Sequence, residues 1–296
     1  MNRHIITLMR PHQWLKNLFV FMPLFFDRHA TEWNYVWPCL AAFIAFCLAA
    51  SGIYCFNDIH DAEADRQHPV KHMRPVASGV VSKRTAYITM GIVWIVAIIL
   101  VTWECFYCGS LQKGLIGTLL LYIAMNIAYC VKLKQTALLD VFIIATGFVL
   151  RIVAGGLATG IILSHWIVLT TFLLALFLAV AKRRDDVAIY EISGVKARKN
   201  VVRYNMDFLN QCIAILGSVT IMCYILYTVS NEVVERIGSQ YLYATSVFVL
   251  AGILRYMQLT LVDQKSGSPT KVLLHDHIIH VCIIGWILAF TVILYV

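Results

Sequence analysis

Asn57, Asp58, Asp61 and Asp65 form the run N-D-x-x-D-x-x-x-D. At about 100° per residue, the three aspartates fall within roughly 60° of one another if the chain continues as one helix. Carboxylates on one stripe repel each other and weaken a helix, a cost that makes sense if a divalent cation sits among them. Hard oxygen ligands suit Mg²⁺, which prefers one or two carboxylates plus substrate phosphates to an all-protein cage. The plain alternative is a solvated helix end carrying ordinary surface acids. Basic residues follow at once: Arg66, His68, Lys71 and Arg74, with Pro69, Pro75 and Gly79 shaping the segment. Acids that hold a metal, followed by cations that hold phosphate oxygens, are what a departing diphosphate requires. Together they neutralise the charge that grows on the leaving group as its C–O bond stretches. His60, His68 and His72 offer zinc as another option, but no cysteine or regular second pair accompanies them.

A second charged run, Lys182-Arg183-Arg184-Asp185-Asp186, is followed one turn later by Tyr190. A basic anchor flanking a membrane span would explain the cations but not the two acids. Asp140 and Arg151 stand eleven residues apart, on one helix face and about 16 Å apart along its axis. Gly147, Gly155 and Gly156 flank that stripe and would allow close helix approach. An arginine at that depth costs at least roughly 2.5–3.5 kcal/mol unless it lines a polar cavity, so Arg151 is expected to line one; a purely structural pair is the alternative. Lys134 and Tyr129 sit at the mouth of the same region, and His275, Asp276, His277 and His280 gather before the last apolar run.

These residues need elements to hold them, and composition says which kind. Of 296 residues, 60% are hydrophobic and 14% charged, against roughly 25% charged in a soluble domain; mean hydropathy is +0.76. Runs near the 20-residue length of a membrane helix cover about 35–56, 86–103, 114–131, 138–162, 166–181, 208–229, 241–262 and 278–296. The shorter stretch Trp14–Phe26, bracketed by Pro11 and Pro23, is read as an oblique first span, giving nine, or eight if it only lies at the interface. Alternating sides along this series leaves Arg28, Lys113 and Arg236 on one side and Arg151 inside a span. The remaining twenty of the 24 Lys and Arg fall on the other, which is therefore cytoplasmic, together with the N-terminus. The two long cytoplasmic segments, 57–85 and 182–207, carry both acidic runs. The net charge of +8 belongs to this membrane pattern and to anionic substrates, not to nucleic acid. Most cysteines lie singly in apolar runs; only Cys105 and Cys108 form a CxxC, without a second pair. No small-residue cleavage site follows the N-terminal apolar run, so no signal peptide is expected.

The pattern resembles the UbiA superfamily of intramembrane prenyltransferases, whose signature NDxxDxxxD is matched at Asn57, Asp58, Asp61 and Asp65 and whose second acidic loop is matched loosely at Asp185 and Asp186. Within it, six segments resemble the phosphoribosyltransferase branch: RPHQWLKN (Arg10 to Asn17), Asp61 to Gly79, LKQTALLD (Leu133 to Asp140), FVLRIVAGG (Phe148 to Gly156), the residues around Arg255, and Gly267–Pro269. One departure is KRRDD where that branch often has KRxxE, which puts Asp186 in place of a glutamate. The resemblance implies one all-α transmembrane domain over 1–296, about nine helices in a UbiA-like bundle in the cell (inner) membrane. It implies Mg²⁺-dependent transfer of 5-phosphoribose from phosphoribosyl diphosphate (PRPP) to a polyprenyl phosphate such as decaprenyl phosphate. Asp58, Asp61 and Asp65 would hold Mg²⁺, and Asp58, Asp61, Lys134 and Asp186 would be catalytic. Lys16, Asn57, Arg66, Lys71, Arg74, Tyr129, Asp140, Arg151, Lys182, Arg183 and Tyr190 would bind substrate, with membrane lipid as a further partner. Homo-oligomerisation stays open. The other readings are an aromatic prenyltransferase that ionises a polyprenyl diphosphate, and a polytopic transporter or flippase, which would have no need of three acids at a helix mouth.

Overall fold

A computed structural model describes residues 2–67, 71–108, 113–193, 199–264 and 269–295, which contain helices and no strand. In chain order the α-helices are α1 (Asn2–Met9), α2 (Met22–Phe26), α3 (Trp33–His60), α4 (Ala62–Arg66), α5 (Lys83–Cys108), α6 (Lys113–Val131) and α7 (Leu139–Thr159). They continue with α8 (His165–Ser193), α9 (Met206–Val229), α10 (Asn231–Ile237), α11 (Ser246–Leu261), α12 (Pro269–His275) and α13 (His277–Tyr295). Among the described residues, eight helical segments are long and apolar enough to cross a membrane. They are Trp33–His60, Lys83–Phe106, Gly114–Val131, Leu139–Thr159, His165–Ile192, Met206–Val229, Tyr241–Leu261 and His277–Leu294.

The stretch expected as an oblique first span takes a different form. Pro11–Phe21 is a 3-10 helix, and α2 adds a short α-helical turn. The 3-10 helix runs antiparallel along α3. Arg10 meets Asp58, the Trp14 indole N–H donates to Ser51 Oγ (3.0 Å), Asn17 Nδ2 to Cys47 Sγ (3.2 Å), and Cys39 Sγ to the Val20 carbonyl (3.4 Å). A 3-10 helix rises about 2.0 Å per residue against 1.5 Å for an α-helix, so a short stretch keeps pace with a longer length of α3.

The chain divides into two compact units, Met1–Lys134 with Gly147–Leu163, and Gln135–Thr146 with Ser164–Val296. In the first, Ala42, Ala45, Phe46 and Ala49 of α3 share a core with Ala97 and Val101 of α5, Leu115 and Leu119 of α6, and Ala154 of α7. Small residues let membrane helices approach closely, since lipid supplies no hydrophobic drive between them. Two contacts depend on missing side chains. A Cβ at Gly52 would lie 2.1 Å from Trp94 Nε1, whose N–H donates to the Ala49 carbonyl at 3.2 Å. A Cβ at Gly155 would lie 1.9 Å from the Val20 carbonyl oxygen, so the 3-10 helix rests directly on α7.

In the second unit α8 packs along α9, and α11 packs on both α9 and α13. The segment 182–207, expected as a loop, is helical at its start: α8 continues through Lys182–Asp186 to Ser193. Lysine and arginine are good helix formers, and the Arg183–Asp186 pair at i,i+3 supports the extension. The segment 57–85 is likewise partly helical, because α3 reaches His60 and α4 follows at once.

Gly155→Ala should lower the thermal midpoint of the detergent-solubilised protein by the equivalent of about 1–3 kcal/mol, the usual cost of overpacking. Gly91→Ala, where an added Cβ meets nothing within 4 Å, should leave the midpoint unchanged or raised.

Candidate active site

The acidic run does not lie on one continuous helix. α3 ends at His60, Asp61 takes φ −91° and ψ 1°, and Asp65 sits in α4. Asp58 and Asp65 still share one cation, Arg74, while Asp61 meets another, Lys134. Arg10 Nη2 donates to Asp58 Oδ1 at 2.5 Å. Arg74 Nη1 donates to Asp65 Oδ2 at 2.7 Å and lies 3.4 Å from Asp58 Oδ1. Lys134 Nζ donates to both Asp61 oxygens at 2.7 Å. Asp58 and Asp65 are buried, and Asp58 Oδ2 has no hydrogen-bond partner among the described residues. No three His, Cys, Asp or Glu side chains converge among the described residues in a way that could hold a metal.

Apolar neighbours set these charges in place. Leu8, Cys55, Ile59, Ala62, Val76 and Val81 form a small core. Leu8 lies two residues before Arg10, Ile59 next to Asp58, Ala62 next to Asp61, and Val76 two residues after Arg74. Burying them fixes where the polar heads emerge. Arg10 adopts φ 52° and ψ 61°, the left-handed region, immediately before Pro11. Proline disfavours the right-handed helix in the residue before it, and the left-handed turn costs a non-glycine residue roughly 1–2 kcal/mol. Burial alone would push the Asp61 carboxyl up. The hydrogen bond from Lys134, helped by His60, outweighs that and holds it below its ordinary value.

Deeper in the same unit, Arg151 is buried. Its Nε donates to Asn17 Oδ1, Nη1 to the Gly147 carbonyl and Nη2 to the Tyr122 hydroxyl, each at 2.7 Å. Its guanidinium carbon also stands 4.8 Å from the Tyr122 ring centroid.

The second unit holds a separate network. Arg183, only 1% exposed, donates from Nε to Asp140 Oδ2 at 2.6 Å and from Nη1 to Asp186 Oδ2 at 2.5 Å. The Tyr204 hydroxyl donates to Asp140 Oδ1 at 2.8 Å and accepts the Leu138 N–H at 2.7 Å. Leu138 has φ 68°, so Tyr204 pins a strained turn just before α7. Burial pushes the Tyr204 phenol up, and the Asp140 carboxylate pushes it the same way, which keeps it a donor. Arg184 donates to Asn210 Oδ1 at 2.8 Å and to the Thr260 carbonyl at 2.6 Å, satisfying the C-terminal end of α11. Asp276 caps α13 by accepting the Ile279 N–H at 2.9 Å and takes Arg255 Nη2 at 2.8 Å. The histidine-rich stretch around it thus includes a helix cap.

The UbiA prenyltransferase family pattern matches residues 24–278. The chain belongs to that family. It is 34% identical over 294 residues to the decaprenyl-phosphate phosphoribosyltransferase of Mycolicibacterium smegmatis, covering 96% of this chain and 90% of that one. To the protein of the same name from Corynebacterium glutamicum it is 32% identical over 297 residues, covering 99% and 87%. The solved UbiA homolog from Archaeoglobus fulgidus bound to GPP and Mg²⁺ matches with a TM-score of 0.70 and 17% identity, over 99% of this chain and 100% of that one. At that identity the likeness is one of fold. This UbiA-family chain is a multi-pass membrane protein and a transferase.

In this UbiA-family protein, the first unit brings together Asp58, Asp61, Asp65, Arg74 and Lys134. Asn57 stands beside them in the last turn of α3. Arg66 Nε donates to the Ala77 carbonyl at 3.2 Å, which braces the segment carrying Arg74. Lys71 lies in a 3-10 turn, Tyr129 in the last turns of α6, and Lys182 and Tyr190 on α8, all half-buried. Lys16 occupies the N-terminal 3-10 helix. Asp140 and Arg151, expected as one face of a single helix, find their partners in different units. Arg183, expected on phosphate, is bonded to two carboxylates. His68, Pro69, Lys196, Arg198, Lys265 and Gly267 lie outside the described residues, as do the side chains of Cys108, Lys199 and Lys271. Arg10 and Tyr204 were not singled out from their positions. The only sequence signal for Arg10 was its place at the head of RPHQWLKN.

Because its pKa is depressed on folding, Asp61 contributes stability that is complete above the ordinary carboxylate pKa and is lost as pH falls through the depressed value. Thermal melts across pH should show wild type most favoured over Lys134→Met above about pH 4, with the gap closing below it. Asp140→Ala leaves a buried guanidinium short of a carboxylate and should cost about 3–5 kcal/mol in denaturant or thermal unfolding.

Proposed function

We propose that this chain transfers 5-phosphoribose from PRPP to a polyprenyl phosphate and releases diphosphate, at the cytoplasmic end of α3. The observation that carries the reading is the interleaving of three aspartates with Arg10, Arg74 and Lys134 in a chain similar over nearly its whole length to decaprenyl-phosphate phosphoribosyltransferases. The bias of Lys and Arg toward the segments holding these acids supports the cytoplasmic placement.

The residues present fit Mg²⁺. The acids do not converge as a closed cage, but Mg²⁺ takes only one or two carboxylates with substrate phosphates, and the buried Asp58 Oδ2, without a partner among the described residues, is a ligand atom in want of a cation. Asp58, Asp61 and Asp65, with Asn57 in support, would hold Mg²⁺, whose chemistry there is to neutralise the diphosphate. Cations now bonded to the acids are within reach of the same phosphates. Arg10 and Arg74 lie on Asp58, and Lys134 on Asp61, so a bound diphosphate can take their N–H donors in exchange for the carboxylates. Lys71 adds charge from the adjoining segment.

The C1–O bond of the donor breaks with its electron pair leaving on diphosphate, and positive charge develops on the ribose C1 and ring oxygen. A phosphate oxygen of the lipid acceptor then forms the new C1–O bond from the opposite face. No general base is required, because the acceptor phosphate is already an anion. Arg10, Arg74 and Lys134 act by stabilising negative charge on the leaving group as it grows.

Purified protein in lipid nanodiscs, given Mg²⁺, PRPP labelled in its ribose and a polyprenyl phosphate, should place label in the organic extract. Asp58→Asn and Asp61→Asn should each lower the rate by about a hundredfold or more while the protein stays folded in the membrane. Absence of lipid label, together with alkylation of an aromatic acceptor by a polyprenyl diphosphate, would overturn the reading.

A further inference from the structure

Arg151 and Lys16 are cations without a carboxylate. Arg151 is buried, and its partners among the described residues are a carboxamide oxygen, a backbone carbonyl and a phenol, all neutral. Among the described residues no acid comes within ion-pair distance of it or of Lys16. Lys16 adjoins Asn17, the residue that holds Arg151 Nε, and the charges of Arg151 and Arg10 both act on it. The first unit thus gathers three positive charges around the 3-10 helix, and of these only Arg10 has an acid, Asp58. Like charges held together away from water are unfavourable unless a counter-charge completes them.

Depth locates the gap. The Arg10 guanidinium stands 4.9 Å from the ring centroid of Tyr54, one turn inside Asp58 on α3. Trp14 meets Ser51 and Asn17 meets Cys47, seven and eleven residues before Asp58, about 10 and 16 Å along the axis. An anion between Lys16 and Arg151 would thus lie deeper in the first unit than a diphosphate held at Asp58, toward the apolar middle of α3, the side a lipid acceptor reaches.

We propose that Lys16 and Arg151 form a binding site for a phosphate monoester, and that its occupant is the phosphate of the lipid acceptor. A monoester carries a charge of about −1.5 to −2 near neutral pH, which matches the two uncompensated cations. Asn17 and Tyr122 act as positioning residues that aim the Arg151 guanidinium. The donor's own 5-phosphate has the same chemistry, so the experiment separates the two. Identifying the occupant as acceptor rests on the phosphoribosyl-transfer reading; the existence of an anion site does not.

The test uses the whole purified protein in detergent, with geranyl phosphate as a short acceptor and, separately, PRPP with Mg²⁺. Thermal shift and calorimetry are read for wild type, Lys16→Gln and Lys16→Arg. Lys16 makes no hydrogen bond among the described residues, so Lys16→Gln without ligand should melt at the wild-type temperature or above it, because repulsion is relieved. Its affinity for geranyl phosphate should fall roughly tenfold to a hundredfold, its affinity for PRPP with Mg²⁺ should hold, and Lys16→Arg should recover most of the loss. Equal geranyl phosphate binding by wild type and Lys16→Gln overturns the site. Loss of PRPP affinity instead overturns the acceptor assignment. Monoester binding that depends on Lys16 in a protein that never labels lipid from PRPP would leave the site standing and defeat the proposed function alone.

Discussion

A charge removed from water must be met by another charge or by dipoles aimed at it, and the described parts of this bundle are organised around that requirement. Three aspartates at the end of α3 cannot share one helical stripe without a cation between them. The chain meets the difficulty by drawing Arg74 from the adjoining segment and Arg10 and Lys134 from more distant ones. The same requirement reappears in the second unit, where Arg183 sits between Asp140 and Asp186. It also appears at Arg151, where a carboxamide, a carbonyl and a phenol do part of what a carboxylate would do.

Such pairs hold only if the backbone beneath them is fixed, and apolar packing fixes it. Leu8, Ile59, Ala62 and Val76 interlock below the acidic site, so the charged neighbours emerge in one place. The left-handed turn at Arg10 and the contact of the Val20 carbonyl with Gly155 commit the N-terminal segment to a single path along α3. That path puts Arg10 at the acids and Lys16 and Asn17 further in. The 3-10 form, with its longer rise per residue, lets one short segment serve both levels.

The two acidic runs differ in kind. The first leaves an oxygen of Asp58 without a partner and cations that a phosphate could take over. The second is tied into a buried pair that also fixes, through Tyr204, the strained turn at Leu138 before α7. Arg183 therefore reads as a brace within its own unit. Its removal would be felt first in how α7 begins.

The sequence alone determined the apolar helices, the bias of Lys and Arg to one side, and the acidic run with its following cations, because each is a local pattern: periodicity, length or spacing along one segment. It also carried the family likeness through short motifs such as RPHQWLKN. The partners were beyond its reach. Arg10 and Asp58 are 48 residues apart, Lys134 and Asp61 are 73, and Arg151 and Asn17 are 134. Helical periodicity names the face a residue occupies, not the residue that will meet it. Composition likewise put the end of the α8 span near residue 181, since it reads lipid contact and not helix propensity, while the backbone stays helical to Ser193. Only tertiary packing decided that Asp140 belongs with Arg183 and Tyr204 and Arg151 with Asn17 and Tyr122, because burial makes each charge seek whatever polar group the neighbouring helices bring within reach.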